Sequence, residues 1–226
     1  MEIGMKQKYV IIVAGGNGLR MKATIPKQFL LLKGKPILMH TIEAFYRYDT
    51  DIHIILVLSE KQKTYWTSLC QQYNFKIDHH TIEGGITRFY SVKNGLFSVK
   101  KNCLVAVHDG VRPLVREKLI DNAFKMAQKA LAVYPAIPIT DSLREITNRN
   151  NRTVNRSEFY LVQTPQVFLS DILINAYEAT SSDNFTDDIS VVESGKICTP
   201  TMIKGSKSNI KITTPIDLSI AEALID

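Results

Sequence analysis

Three short stretches hold the residues best suited to chemistry. "AGGNGLRM" runs from Ala14 to Met21 and follows the apolar run "YVIIV" directly. Gly15, Gly16 and Gly18, flanked by Ala14 and Asn17, let backbone N–H groups approach an anion closely. Arg20 adds a bidentate phosphate donor, and Lys27 in "PKQF" adds a second cation behind Pro26. "EGGITRFYSV" places Gly84 and Gly85 before a helix start at Thr87, with Arg88 and Ser91 in its first turns. "VAVHDGVRP" ends a buried run on His108, Asp109 and Arg112. A carboxylate there suits Mg²⁺ or a substrate hydroxyl, so Asp109 is the one candidate metal ligand. Plain glycine turns and a surface ion pair would use the same residue types.

The better-known phosphate motifs do not fit. No GK[ST] follows the first loop, which argues against a Walker loop, and the third glycine of a dinucleotide fingerprint is missing. No Ser/His/Asp or Cys/His set suggests nucleophilic catalysis. Scattered single candidates are Ser142, Arg156, Thr164, Thr186 and Lys211. Asp187 and Asp188 resemble a metal pair, but capping of a helix start explains them. His108 reads as structural.

The elements that must position these residues follow a βαβ rhythm. Strands are expected at Tyr9–Val13, Ile52–Leu58, Lys76–Thr81, Cys103–Val107, Ala132–Ile137 and Gln163–Phe168. Helices are expected at Pro36–Tyr48, Glu60–Tyr73, Thr87–Val99, Arg116–Lys129, Ser170–Ser181 and Thr186–Glu193. A last helix follows "TTP", capped by Thr214 with Pro215 first and Asp217 in its first turn. Unbroken Ile/Val/Leu runs fit strands covered on both faces, hence an α/β, three-layer, mostly parallel sheet in a single domain spanning residues 1–226. In such sheets ligands sit beyond the carboxyl ends of the strands, where the three polar stretches fall. Residues 139–166 break the rhythm with three short β-like runs around "NRNN". They suggest a β-arm over 139–163 that packs on a second subunit.

Composition bounds the class. The 226 residues are 45% hydrophobic and 22% charged, with a formal net charge of +6. That is ordinary globular composition. No apolar run approaches the ~20 residues of a membrane span, and no cleavage site follows the first apolar run, so a cytoplasmic protein without a membrane partner is expected. Cys70, Cys103 and Cys198 form no metal or disulfide pattern. The basic residues are dispersed, so a small polyanionic substrate accounts for the charge better than nucleic acid does.

Taken in order, "AGGNGLRM…PKQF", "GGITRFYSV", "VHDGVRP", "TDSL", "VQTPQVF", "TDD" and "GSKSNIKITTPIDL" resemble the 2-C-methyl-D-erythritol 4-phosphate cytidylyltransferase family. The resemblance implies a Rossmann-like, glycosyltransferase-A-like sheet and a homodimer joined through its β-arms. It implies Mg²⁺-dependent transfer of CMP from CTP to methylerythritol phosphate, in non-mevalonate isoprenoid synthesis, with release of pyrophosphate. Ala14, Gly15, Gly16, Asn17 and Gly18 would wrap the CTP triphosphate, and Gly84, Gly85, Arg88 and Ser91 would hold cytosine and ribose. Arg20, Lys27 and Lys211 would be the catalytic cations. Asp109 and Arg112 would meet the nucleotide and polyol, Arg156 would grip the substrate phosphate from the partner subunit, and Ser142, Thr164 and Thr186 would complete the site. Two positions depart from the pattern. Leu19 stands where members often carry a second basic residue, and Ser142 where threonine is common. A ribitol 5-phosphate cytidylyltransferase is the nearest alternative, and a non-catalytic nucleotide- or RNA-binding protein the more distant one.

Overall fold

A computed structural model describes residues 6–16, 25–147 and 150–225. Asn17, Gly18, Leu19 and Arg20 lie outside them. The strands are β1 (Lys8–Val13), β2 (Leu31–Leu32), β3 (Lys35–Pro36), β4 (His53–Leu58), β5 (His80–Glu83), β6 (Leu104–Asp109), β7 (Ala132–Pro138), β8 (Arg144–Thr147), β9 (Asn150–Thr153), β10 (Tyr160–Val162), β11 (Gln166–Leu169) and β12 (Thr201–Lys204). The helices are α1 (Ile37–Tyr48), α2 (Glu60–Gln72), α3 (Arg88–Leu96), α4 (Glu117–Ala130), α5 (Ser170–Ala179), α6 (Asp188–Ser194) and α7 (Pro215–Leu224).

The main sheet runs β10-β7-β11-β6-β1-β4-β5, with β12 beside β7. Pairings β1–β4, β1–β6, β4–β5 and β12–β7 are parallel, and β10 and β11 run antiparallel to their neighbours. Both faces are covered. Val10, Ile12, Leu56 and Leu104 pack beneath Phe45, Trp66 and Phe124 on one side. Ile11, Val57, Val105 and Val107 pack beneath Phe89, Leu173 and Tyr177 on the other. This is the three-layer α/β fold that the unbroken apolar strands require.

Several boundaries differ from expectation: α3 ends at Leu96 rather than Val99, β6 runs on through His108 and Asp109, and three further differences bear on the site. The strand expected at Lys76–Thr81 forms at His80–Glu83, where it pairs with Ile55–Leu58. The residues before it wrap α2 instead: the Trp66 indole N–H donates to His79 Nε2 at 2.9 Å, and His79 Nδ1 donates to the Ile77 carbonyl at 2.7 Å. The strand expected at Gln163–Phe168 begins only at Gln166. Its register, Gln166 opposite Val107, puts residues 163–165 level with the end of β6, where they leave the ladder. Of the three β-like runs in residues 139–166, β8 and β9 form a separate hairpin, whereas β10 joins the main sheet through β7. The β2–β3 hairpin and β12 have no counterpart among the expected elements. β12 buries only Ile203 of its four residues, too little pattern to read.

Candidate active site

Ligand chemistry collects where β1, β4, β5 and β6 end. Ala14 leaves β1 with its N–H on the Val57 carbonyl at 2.9 Å, Gly84 N–H meets the Leu58 carbonyl at 2.7 Å, and Gly110 N–H meets the Val13 carbonyl at 2.9 Å. These crossed bonds hold the three glycine loops side by side. Lys27 belongs to the same edge through its neighbour. Gln28 is buried, and its amide donates to the Ala14 carbonyl and, at 3.1 Å, to Gln62 Oε1. The "PKQF" turn is thus fastened to the first loop by a residue that the sequence did not single out.

In the second loop, Ser91 organises backbone. Its hydroxyl accepts from Gly85 N–H at 3.1 Å and donates to the Thr87 carbonyl at 2.9 Å. Gly85 must be glycine, since an added Cβ would lie 2.2 Å from Tyr90 Cβ. Arg88 turns toward α6, where its guanidinium makes a two-pronged pair with Asp188 at 3.0 and 2.6 Å. Asp188 is fully buried and also accepts from the Tyr177 hydroxyl at 2.7 Å. Burial alone would weaken the Arg88 charge, and Asp188 more than reverses it, holding Arg88 above its ordinary range. Asp187 caps α6 as expected, accepting from Ser190 N–H at 3.1 Å.

A cavity of about 220 Å³ opens between these parts, lined among others by Arg88, Asp109, Arg112, Thr164, Thr186 and Lys211. Six sequence candidates therefore converge, and Val162, Gln163, Gln166 and Asp187 complete the wall. Ser142 and Arg156 lie outside that lining on exposed chain, where the Arg156 guanidinium donates to the Thr140 carbonyl.

The charge at the cavity floor is concentrated on Asp109. Its Oδ2 accepts from Arg112 Nε at 3.0 Å and faces Lys211 Nζ at 3.1 Å. Burial opposes ionisation, but Lys211, Arg112 and Arg88 outweigh it and hold the carboxyl well below the usual carboxylate range. Arg112 is buried and donates to the Asn209 carbonyl at 2.8 Å, whereas the Lys211 side chain is 41% exposed. Beneath them the Thr164 hydroxyl is committed in both directions. It accepts from Asp109 N–H at 3.1 Å and donates to His108 Nδ1 at 3.0 Å. His108 Nε2 then donates to the Arg112 carbonyl at 3.3 Å, a tautomer assigned from that acceptor. Burial lowers the His108 pKa to about 3, so the ring is neutral. The arrangement offers oriented cations beside the glycine loops, which suits binding and neutralising a polyphosphate.

A match to the family described as 2-C-methyl-D-erythritol 4-phosphate cytidylyltransferase covers residues 8–226. A relative of that name from Phocaeicola vulgatus is 51% identical over 220 residues, covering 96% of this chain and 99% of its own. One from Clostridioides difficile is 38% identical, covering 96% and 93%. Among solved structures, the Francisella tularensis enzyme of the same name aligns with a TM-score of 0.81 at 30% identity, covering 97% of this chain and all of its own. The 4-diphosphocytidyl-2C-methyl-D-erythritol synthase of Anaerococcus prevotii aligns with a TM-score of 0.83 at 29% identity, covering 97% and 96%. With a family match over nearly its whole length and the glycine loops and cations of the motif series gathered at one sheet edge, the chain belongs to the 2-C-methyl-D-erythritol 4-phosphate cytidylyltransferase family.

Proposed function

We propose that the protein transfers CMP from CTP to 2-C-methyl-D-erythritol 4-phosphate, releasing pyrophosphate and forming 4-diphosphocytidyl-2-C-methyl-D-erythritol. The observation that carries this reading is the full-length family match on a chain whose Asp109–Arg112–Lys211 cluster stands beside the Ala14–Gly16 and Gly84–Gly85 loops. An oxygen of the acceptor phosphate attacks the α-phosphorus of CTP. The new P–O bond forms as the bond to the β-phosphate bridge breaks, and its electron pair leaves on pyrophosphate. The attacking oxygen is already ionised near neutral pH, so no general base is needed. Catalysis is positioning and charge stabilisation.

The roles rest on the resemblance and, for the described residues, on their position; Asn17, Gly18 and Arg20 lie outside the described residues and take theirs from the resemblance alone. The loop of residues 14–18 would wrap the triphosphate, with the Ala14 N–H fixing the start of the loop to the Val57 carbonyl. Lys27 and Arg20 offset the charge that builds on the α-phosphate and the leaving group. Lys211 adds a part-exposed cation at the cavity, and buried Asp109 sets its direction. Gly84 and Gly85 take the base and ribose, and the Arg88–Asp188 pair holds that wall. Arg112 and Thr186 face the polyol side. Thr164 acts by fixing the Asp109 backbone. Ser142 and Arg156 reach the polyol phosphate only through a second subunit, and the exposed β8–β9 hairpin supports a homodimer built through this arm.

Among the described residues no group of three or more His, Cys, Asp and Glu gathers as a metal site. Asp109 is the proposed carboxylate ligand, and a single carboxylate would suit Mg²⁺ that keeps most of its ligands from substrate phosphates and water. When bound, Mg²⁺ would neutralise charge on the triphosphate. No described helix is long and apolar enough to cross a membrane. We place the protein in the cytoplasm, a reading supported by three unpaired cysteines. Pyrophosphate release should require CTP and methylerythritol phosphate together. Turnover of ribitol 5-phosphate, with none of methylerythritol phosphate, would replace this reading by the sister activity.

A further inference from the structure

We propose that Asn209, which does not line the cavity, is a positioning residue that sets Lys211 over Asp109, with Gln163 as its partner. This rests on the catalytic role proposed for Lys211.

Residues 205–213 form no helix or strand, so nothing regular fixes Lys211. Two buried anchors do. On one side Ile212 is fully buried, and its N–H donates to the Val111 carbonyl at 2.9 Å. On the other side Asn209, also fully buried, ties its own segment to two others. Its N–H donates to the Ser206 carbonyl at 3.1 Å, and its carbonyl accepts from Arg112 Nη1 at 2.8 Å. Its Nδ2 donates to the Thr164 carbonyl at 2.8 Å. Gln163 closes the other side of the loop. Its Nε2 donates to the Ser206 carbonyl at 2.8 Å and the Asn209 carbonyl at 3.3 Å, and its Oε1 accepts from Ser206 N–H at 3.0 Å. Gly205 is what permits this approach, because an added Cβ would lie 2.5 Å from Gln163 Oε1.

The Asn209 amide is poorly explained by stability. Its Oδ1 is buried without a hydrogen-bond partner, which is a cost to the folded state. Flipping the amide would set oxygen against the Thr164 carbonyl, so the orphan cannot be relieved by rotation. A leucine would occupy similar volume and remove that orphan, but it would leave the buried Thr164 carbonyl without its donor. What the amide supplies is a fixed tie between the Lys211 segment and Thr164, whose hydroxyl holds the Asp109 backbone. Ammonium and carboxylate are thus set by one network, which explains how a lysine 41% exposed is kept 3.1 Å from a buried carboxylate.

The test compares wild type, Asn209→Leu, Lys211→Ala and the double variant, with steady-state pyrophosphate release and melting temperature as readouts. Asn209→Leu should stay folded at the assay temperature, with at most a modest drop in melting temperature from the unpaired Thr164 carbonyl. It should lose about tenfold to a hundredfold in kcat, the range expected for a misplaced catalytic group. In the Lys211→Ala background the same substitution should cost less than about threefold, because its effect runs through the lysine. Multiplying losses, or wild-type turnover in Asn209→Leu, would overturn the proposal. If Asn209→Leu does not fold, Gln163→Met takes its place in the same cycle, and failure of both to fold would make the clamp purely structural and overturn the proposal as well. A wild-type protein that releases no pyrophosphate would instead defeat the proposed function, so the two failures are distinguishable.

Discussion

At the scale of single residues, the site separates cations that face ligand from groups that hold them. Lys27 and Lys211 belong to the first class under the proposed mechanism. Lys27→Ala and Lys211→Ala should each lower pyrophosphate release about 10²–10³-fold, as for removal of one preorganised charge-stabilising group. Their melting temperatures should stay close to wild type, since Lys211 is half-exposed and its pair with Asp109 is backed by Arg112. A near-normal rate in either would remove that lysine from the chemistry. His108 belongs to the second class. Its unfolded pKa is near 6.5, and its folded value is lowered to about 3. Between these values the unfolded chain binds a proton that the folded chain does not, so stability falls as pH falls, by up to about 1.4 kcal/mol per pH unit. Half-buried His40 is shifted the same way. Asp109, held low by its cations, adds a further loss only below the ordinary carboxylate range. Urea unfolding from pH 7 to 4.5 should show this slope, reduced in His108→Asn. An equal slope in both proteins would contradict the assignment.

At the scale of elements, much of the design was legible and some was not. The capping of α7 could be read from "TTPID", because all its partners lie within four residues. Asp217 Oδ2 accepts from Thr213 N–H at 2.8 Å and Thr214 N–H at 2.7 Å. The glycine loops announced themselves for the same local reason. Gln28, Gln163 and Asn209 did not, because the partners that matter lie 14 to 97 residues away. Asp188 was read as a helix-start residue, and its pairing with Arg88, a hundred positions earlier, has no sequence signature. That pair joins the start of α3 to the start of α6 and so fixes one wall of the cavity. Asp188→Asn should destabilise by about 3–5 kcal/mol, since it leaves a largely buried guanidinium without its counter-charge. Chemical denaturation measures this directly, and a loss under about 1 kcal/mol would show that the wall does not depend on the pair.

At the scale of the whole molecule, the sheet aligns three glycine loops along one edge. The end of β6, residues 162–166, the starts of α3 and α6 and the Lys211 segment enclose the cavity beside them, and the β8–β9 hairpin stands apart. Tyr160, Leu161 and Val162 of β10 are 44%, 53% and 42% exposed, and every residue of β8 and β9 is exposed. Apolar exposure of this kind beside a site marks an interaction surface. We expect a homodimer in sedimentation experiments, and Leu161→Arg should shift it toward monomer and weaken use of the polyol phosphate. A monomeric, fully active wild type would refute the arm's role. The most direct test of the central claim is ³¹P NMR of a reaction containing the protein, CTP, Mg²⁺ and 2-C-methyl-D-erythritol 4-phosphate. The account predicts that the monophosphate and triphosphate signals are replaced by two coupled diphosphate resonances and one pyrophosphate signal in equal molar amounts. Unchanged CTP and methylerythritol phosphate, under conditions where the protein is folded, would contradict it.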